Sequence, residues 1–169
     1  TRTPLLDVDR IEVRGAVLTT SDEIIALSGL RPGEALLEVD TSAAASRIRE
    51  LPYIETALVV RKWDGLVTIT VSERVPVAIA ASADGVAMLI DGSGRVIGVQ
   101  TAGDGVETVL IGVEAGAPGT LVEGVSGALE VASLLTPGMR TRVAGIATAP
   151  DGSLNLALKP QGIVIMGPP

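Results

Sequence analysis

The sequence contains no histidine and no cysteine, so its reactive side chains are carboxylates, hydroxyls and a few amines. A histidine base, a cysteine nucleophile, a zinc finger, an iron–sulfur cluster and a disulfide are all excluded. Asp40-Thr41-Ser42 shares two residues with the Asp-Thr/Ser-Gly loop in which paired aspartates share a proton. It occurs once, lacks the glycine, and stands where a helix needs a capping side chain. Gly92-Ser93-Gly94 has no third glycine at phosphate-loop spacing and no helix behind it, so it reads as a β-turn. A Ser–Lys dyad would need Lys62 or Lys159, and neither has a serine three residues before it. Asp84, Asp91 and Asp104 lack the spacing of a calcium loop. The expectation is therefore a protein with no catalytic residue, cofactor or metal site.

Composition points the same way. Apolar residues make up 47% of the chain, yet it has one Trp, one Tyr and no Phe. A net charge of −7 and two aromatics leave neither the cationic surface nor the stacking platforms of a nucleic-acid binder. Trp63 is expected to be buried against helices, as Trp usually is. The alternative is an exposed anchor at a partner surface, where Trp, Tyr and Arg are enriched. Arg61, Lys62, Glu73 and Arg74 are expected to form a cross-strand charge group near the hairpin, either a solvated strand face worth little energy per pair or an exposed sheet edge whose charges choose a partner.

Residues 1–75 carry 9 basic and 12 acidic side chains, so most of the charge lies in less than half of the 169 residues. The expected organisation is two domains, 1–75 and 76–169, meeting at Val75-Pro76. In the first, Val8–Val13 alternates as a short strand that turns at Gly15. Thr20 and Glu23 have capping-box spacing ahead of a short helix that stops at Gly29. A second helix starts after Asp40 or Thr41, has Ala44, Ile48 and Leu51 on one face, and ends at Pro52. Ile54–Lys62 and a strand alternating at Val67, Ile69 and Val71 flank the hairpin signal Asp64-Gly65. Two helices on one face of a three-stranded sheet leave the other face and an edge available.

The second part reads as mostly β. Its predicted strands are Val77–Ala81, Val86–Ile90, Arg95–Val99, Val109–Val113, Val143–Ala147, Leu154–Leu158 and Ile163–Ile165. The single predicted helix, Gly124–Thr136, presents Ala128, Leu129, Ala132 and Leu135 together and is ended by Pro137-Gly138. The fold class is thus α+β: a β-α-α-β-β domain, then a mostly β domain with one longer helix. No apolar run reaches the length of a membrane helix. The start at Thr1-Arg2-Thr3-Pro4 without Met is expected of a piece of a longer protein.

Leu51-Pro52-Tyr53 through Arg61-Lys62-Trp63, followed by Val67–Val71 and Glu73-Arg74-Val75-Pro76-Val77-Ala78, resembles the FtsQ/DivIB family of bacterial division proteins. Ile11-Glu12-Val13-Arg14-Gly15, Gly33…Leu36-Leu37…Asp40 and Leu89–Val96 resemble it too. The resemblance implies a POTRA domain followed by a β-domain, truncated here at its C-terminal end. It also implies a non-enzymatic scaffold, single-pass in the cytoplasmic membrane at the division septum, with this part extracytoplasmic and bound to FtsB/FtsL-type partners. The POTRA sheet edge implicated in localisation maps onto 54–62 and the start of strand 67–74. Tyr53, Glu55, Val59, Arg61, Trp63 and Glu73 are the candidate partner-binding residues there. Ile163, Val164 and Ile165, on the last strand, are a second candidate edge, expected to be an artificial one because the strand that follows it in the family is missing here. The expected mechanism is pairing with a partner's strand.

Two other readings compete with this one. A POTRA module of an outer-membrane assembly or secretion pore would also bind extended chains, but such proteins carry tandem units. A carboxylate-based cell-wall hydrolase would need two facing acids in a cleft, and no motif supplies them.

Overall fold

The computed structural model describes residues 7–167; Thr1-Arg2-Thr3-Pro4 and Pro168-Pro169 lie outside the described residues. Two compact units divide between Arg74 and Val75. The first contains β1 (Arg10–Arg14), α1 (Ser21–Ser28), α2 (Thr41–Ile48), β2 (Ile54–Arg61) and β3 (Leu66–Glu73). Its sheet has the order β1-β3-β2, with β1 parallel and β2 antiparallel to β3. The last strand of the unit is therefore its centre. Alternation explains why β3 can hold that place: Val67, Ile69 and Val71 are buried in the core, while Thr70 and Ser72 face outward.

The helices are set by local chemistry. The Thr20 hydroxyl accepts from Glu23 N at 3.3 Å, and the Asp40 carboxylate accepts from Ala43 N at 2.9 Å, so each stands as the N-cap its position predicts. Gly29 closes α1 at φ 73, in the left-handed region that favours glycine. Arg47 Nε donates to the Ser28 carbonyl at 3.1 Å and ties the end of α1 to α2. Ile24, Ala44 and Ile48 seal the helices onto the sheet. β1 starts later than the alternation from Val8 predicts. Val8 spends its backbone groups on the loop instead, donating to Glu34 O and accepting from Gly33 N, both at 2.8 Å.

The second unit is one seven-stranded sheet of order β10-β9-β8-β7-β4-β5-β6. Its strands are β4 (Pro76–Ser82), β5 (Ala87–Asp91), β6 (Val96–Val99), β7 (Val109–Ala115), β8 (Val143–Thr148), β9 (Leu154–Leu158) and β10 (Ile163–Met166), with α3 (Ser126–Leu134) and α4 (Pro137–Arg140) between β7 and β8. Parallel pairing of β7 with both β4 and β8 places it at the middle of the sheet. The four residues predicted to share the helix's apolar face are all buried there: Ala128, Leu129, Ala132 and Leu135. Pro137, read as a stop, instead occupies the first turn of α4, where a missing N–H costs nothing. The Asp91 carboxylate accepts from Ser93 N at 2.9 Å, Ser93 Oγ at 2.7 Å and Arg95 N at 2.9 Å, which makes Gly92-Ser93-Gly94 the turn its composition predicts.

Asp40→Ala is expected to lower the unfolding free energy by about 1 kcal/mol, the usual cost of a lost N-cap, as read by urea denaturation. Asp40→Ser should recover most of that loss.

Candidate partner-binding edges

β2 has β3 on one side and lies at the edge of its sheet. Lys62 N donates to Leu66 O at 2.8 Å, and the register continues through Val60↔Thr68 and Leu58↔Thr70. Hydrogen-bonded pairs alternate in an antiparallel ladder. The backbone groups of Ala57, Val59 and Arg61 therefore point away from β3, toward the open side. Side chains alternate as well: Val59 is buried in the core, while Leu58 and Val60 on the outer face are 61% and 44% exposed.

Glu55 lies exposed at the irregularity between Ile54 and Thr56. An extra residue there shifts the phase of the strand and turns Leu58 and Val60 outward. Tyr53, just before β2, is partly exposed, and its carbonyl accepts from Arg74 N at 2.8 Å. The residue expected to act on this strand is Val59, whereas the outward-facing side chains are those of Leu58 and Val60. Every residue from Ala57 to Val60 is apolar, so alternation alone could not tell the faces apart.

Three expectations are corrected. The start of strand 67–74 is not an edge, because β3 is paired on both sides. Arg61 and Glu73 do not form one charge group, because Arg61 pairs with Val67 and Glu73 with Ile54, at opposite ends of the ladder. Trp63 is not buried against the helices but 75% exposed. It stands in the β2–β3 turn, past the last residue of β2, where it lines a cavity of about 80 Å³ with Leu36, Arg61 and Lys62.

Two of the three charged candidates on this unit, Arg61 and Glu73, are engaged with backbone. Arg61 Nη1 donates to the carbonyls of Leu36, Leu37 and Val39 at 3.3, 3.3 and 3.0 Å, holding the segment before α2. The Glu73 carboxylate accepts from Val17 N at 3.1 Å, Leu18 N at 2.9 Å and Thr19 N at 2.9 Å. Burial pushes the Glu73 carboxyl up, but these donors, Thr19 first and then Leu18 and Val17, outweigh it and hold the group below its ordinary value.

In the second unit, β10 pairs with β9 and lies at one edge of the described sheet. Ile163, Val164 and Ile165 are all exposed, as is Met166. Among the described residues, no cluster of acidic side chains is arranged to hold a metal ion.

A β-α-α-β-β unit whose sheet has the order β1-β3-β2, followed by a β-rich unit, defines an α+β protein of POTRA type. Residues 6–74 match the FtsQ-type POTRA domain family. The chain is 30% identical over 165 residues to the cell division protein FtsQ of Mycolicibacterium smegmatis, covering 98% of this chain and 48% of that one. The FtsQ of Mycobacterium tuberculosis is 29% identical, over 98% of this chain and 51% of its own. The FtsQ of Geobacter sp. is 40% identical over 79 residues, which are 47% of this chain and 29% of that one. Residues 6–74 thus carry an FtsQ-type POTRA domain, and the chain is similar to FtsQ cell-division proteins over nearly its whole length, as the resemblance in the sequence implies, while spanning about half the length of the mycobacterial relatives it matches.

Two outcomes check this geometry. The single Trp should fluoresce like tryptophan in water and be open to iodide quenching, and Trp63→Ala should change stability by less than about 0.5 kcal/mol. Glu73→Gln should lower stability by about 1–2 kcal/mol at neutral pH, through weaker acceptance from three N–H groups. Because the folded carboxyl lies below its value of 4.5 in the unfolded chain, its contribution is complete above pH 4.5 and fades as pH falls through the folded value. The stability gap between wild type and Glu73→Gln, followed by denaturation at stepped pH, should therefore narrow on acidification.

Proposed function

We propose that this chain is the extracytoplasmic POTRA and β-domain part of a division-site membrane protein that works without catalysis, as a scaffold. It gathers other division proteins by pairing their extended segments with exposed sheet edges. The observation that supports this most is the open side of β2, where the backbone groups of Ala57, Val59 and Arg61 face outward beside the exposed Leu58 and Val60. An unpaired, apolar edge is a template for a further strand, and proteins that do not use such an edge usually blunt it.

On this reading the β2 edge serves recruitment to the septum, with Tyr53, Glu55, Val59 and Trp63 around it. The β10 edge, with Ile163, Val164 and Ile165, receives FtsB/FtsL-type membrane partners. Arg61 and Glu73 support the first edge by fixing the loops that flank the sheet. Among the described residues no helix is long and apolar enough to cross a membrane, and the family's single anchoring helix is assigned to the longer protein. Cell division, for which the relatives are named, is the process in which the edges operate.

The test replaces the full-length gene in its native cell with one encoding Val59→Pro. Because the Val59 N–H points away from β3, proline removes an edge donor and leaves the β2–β3 ladder intact. Leu58→Asp, which alters only the outer face, is the companion variant. Both proteins should fold but fail to concentrate at septa, giving elongated cells with few completed septa under the microscope. Normal septal recruitment of folded Val59→Pro and Leu58→Asp proteins would rule out the β2 edge.

A further inference from the structure

The outer face of β2 carries a row in which exposed Leu58 and Val60 are followed by exposed Lys62. Lys62 continues the ladder through its bond to Leu66 O, so it shares the outward phase of Leu58 and Val60. Among the described residues it is in no ion pair. Arg61, its neighbour, points the other way and is engaged with the carbonyls of Leu36, Leu37 and Val39. The other edge of the sheet differs: on β1, Glu12 bonds Arg10 at 3.4 Å and Arg14 at 3.1 Å. A strand edge studded with paired charges resists further pairing, which directs an incoming strand to β2.

From this we infer the kind of segment that β2 accepts: an antiparallel strand whose one face reads acidic, then aliphatic, then aliphatic at alternate positions. The inference rests on the reading of β2 as a pairing edge and adds its selectivity. The incoming carboxylate lies opposite Lys62, and the two aliphatic side chains lie opposite Val60 and Leu58. The register follows from the backbone. Ala57, Val59 and Arg61 present the edge donors and acceptors, so they form the hydrogen-bonded pairs with the new strand. Leu58, Val60 and Lys62 then fall at the non-hydrogen-bonded pairs, where Cα atoms approach to about 4.5 Å and side chains interact most closely. The row that carries the chemical information is thus the row that lies closest to the partner.

The experiment titrates the isotopically labelled chain with acetyl-Glu-Thr-Val-Thr-Leu-Thr-Thr-amide and with the same peptide beginning in Lys, following backbone amide shifts by NMR. The acidic peptide should shift the amides of Ala57, Val59 and Arg61 and bind about two- to fivefold more tightly than the lysine peptide, the range of an exposed cross-strand pair. In the Lys62→Glu protein the preference should reverse. N-methylation of the peptide's middle Thr, which faces Val59 in a hydrogen-bonded pair, should abolish binding, whereas N-methylation of its Val should not.

Equal binding of both peptides at the β2 amides would overturn the charge selectivity while leaving the edge in place. No shift at those amides with either peptide, or shifts only elsewhere, would overturn the edge reading and this inference with it. Shifts of the β2 amides with protein concentration alone would assign the edge to a second copy of the chain, and would overturn the acidic–aliphatic partner.

Discussion

The first unit depends on the two-sided pairing of β3. A strand buried on one face by Val67, Ile69 and Val71, and hydrogen-bonded along both sides, has no freedom of register: a slip of one residue would carry those three side chains out of the core. Everything else in the unit is placed against it. β1 joins in parallel, which requires a long crossover, and α1 and α2 provide that crossover while covering one sheet face. β2 joins by the hairpin at Asp64-Gly65 and is left with its far side open. The open edge is thus a consequence of the order β1-β3-β2, and no separate feature of β2 is needed to create it.

Charged side chains complete the frame at the two ends of that ladder. At one end Arg61 gathers three carbonyls of the segment entering α2; at the other Glu73 gathers three N–H groups of the segment entering α1. Each satisfies backbone that neither helix nor sheet can reach, an obligation that exists wherever a connecting segment is held against a core. Long charged side chains suit this task because they span the gap from strand to loop and form the stronger, charge-assisted bonds. It follows that the side chains best placed to be read as partner-selecting charges are the ones least free to act so. Lys62, one residue beyond Arg61, has no such engagement.

What the sequence made legible is what local rules determine. Thr20, Asp40 and Gly29 bound their helices because caps and left-handed closures depend on a few adjacent residues. Ile69 and Ala128 are inside because periodicity places them there. The position of a strand within its sheet is a different kind of fact. Val59 and Val71 sit in equally apolar strands, yet one strand is an edge and the other is the centre, and only long-range pairing decides which. The single extra residue at Glu55 had the same effect on a smaller scale, exchanging the faces of Leu58 and Val59 with little local signal. The exposure of Trp63 has a related cause. Composition argues for burial of a lone Trp, but the hairpin carries it past the reach of the helices, where no core remains to receive it.

The second unit follows the same economy with different means. Its β6 edge is closed by the segment around Gly119–Leu121: Val96 N donates to Thr120 O at 2.9 Å, Gly119 N donates to Val96 O at 2.7 Å, and Arg95 Nη1 donates to Gly119 O at 2.6 Å. At the opposite edge β10 shows exposed aliphatic side chains along its whole length. In the first unit, charge pairs stand along β1 while β2 carries exposed Leu58 and Val60; in the second, a loop bonds the start of β6, and β10 is the last strand of the described residues. Unprotected strand edges are a hazard that folded proteins normally suppress. In the first unit the hazard is met at β1 and not at β2, and that asymmetry is what the proposed pairing role of β2 uses.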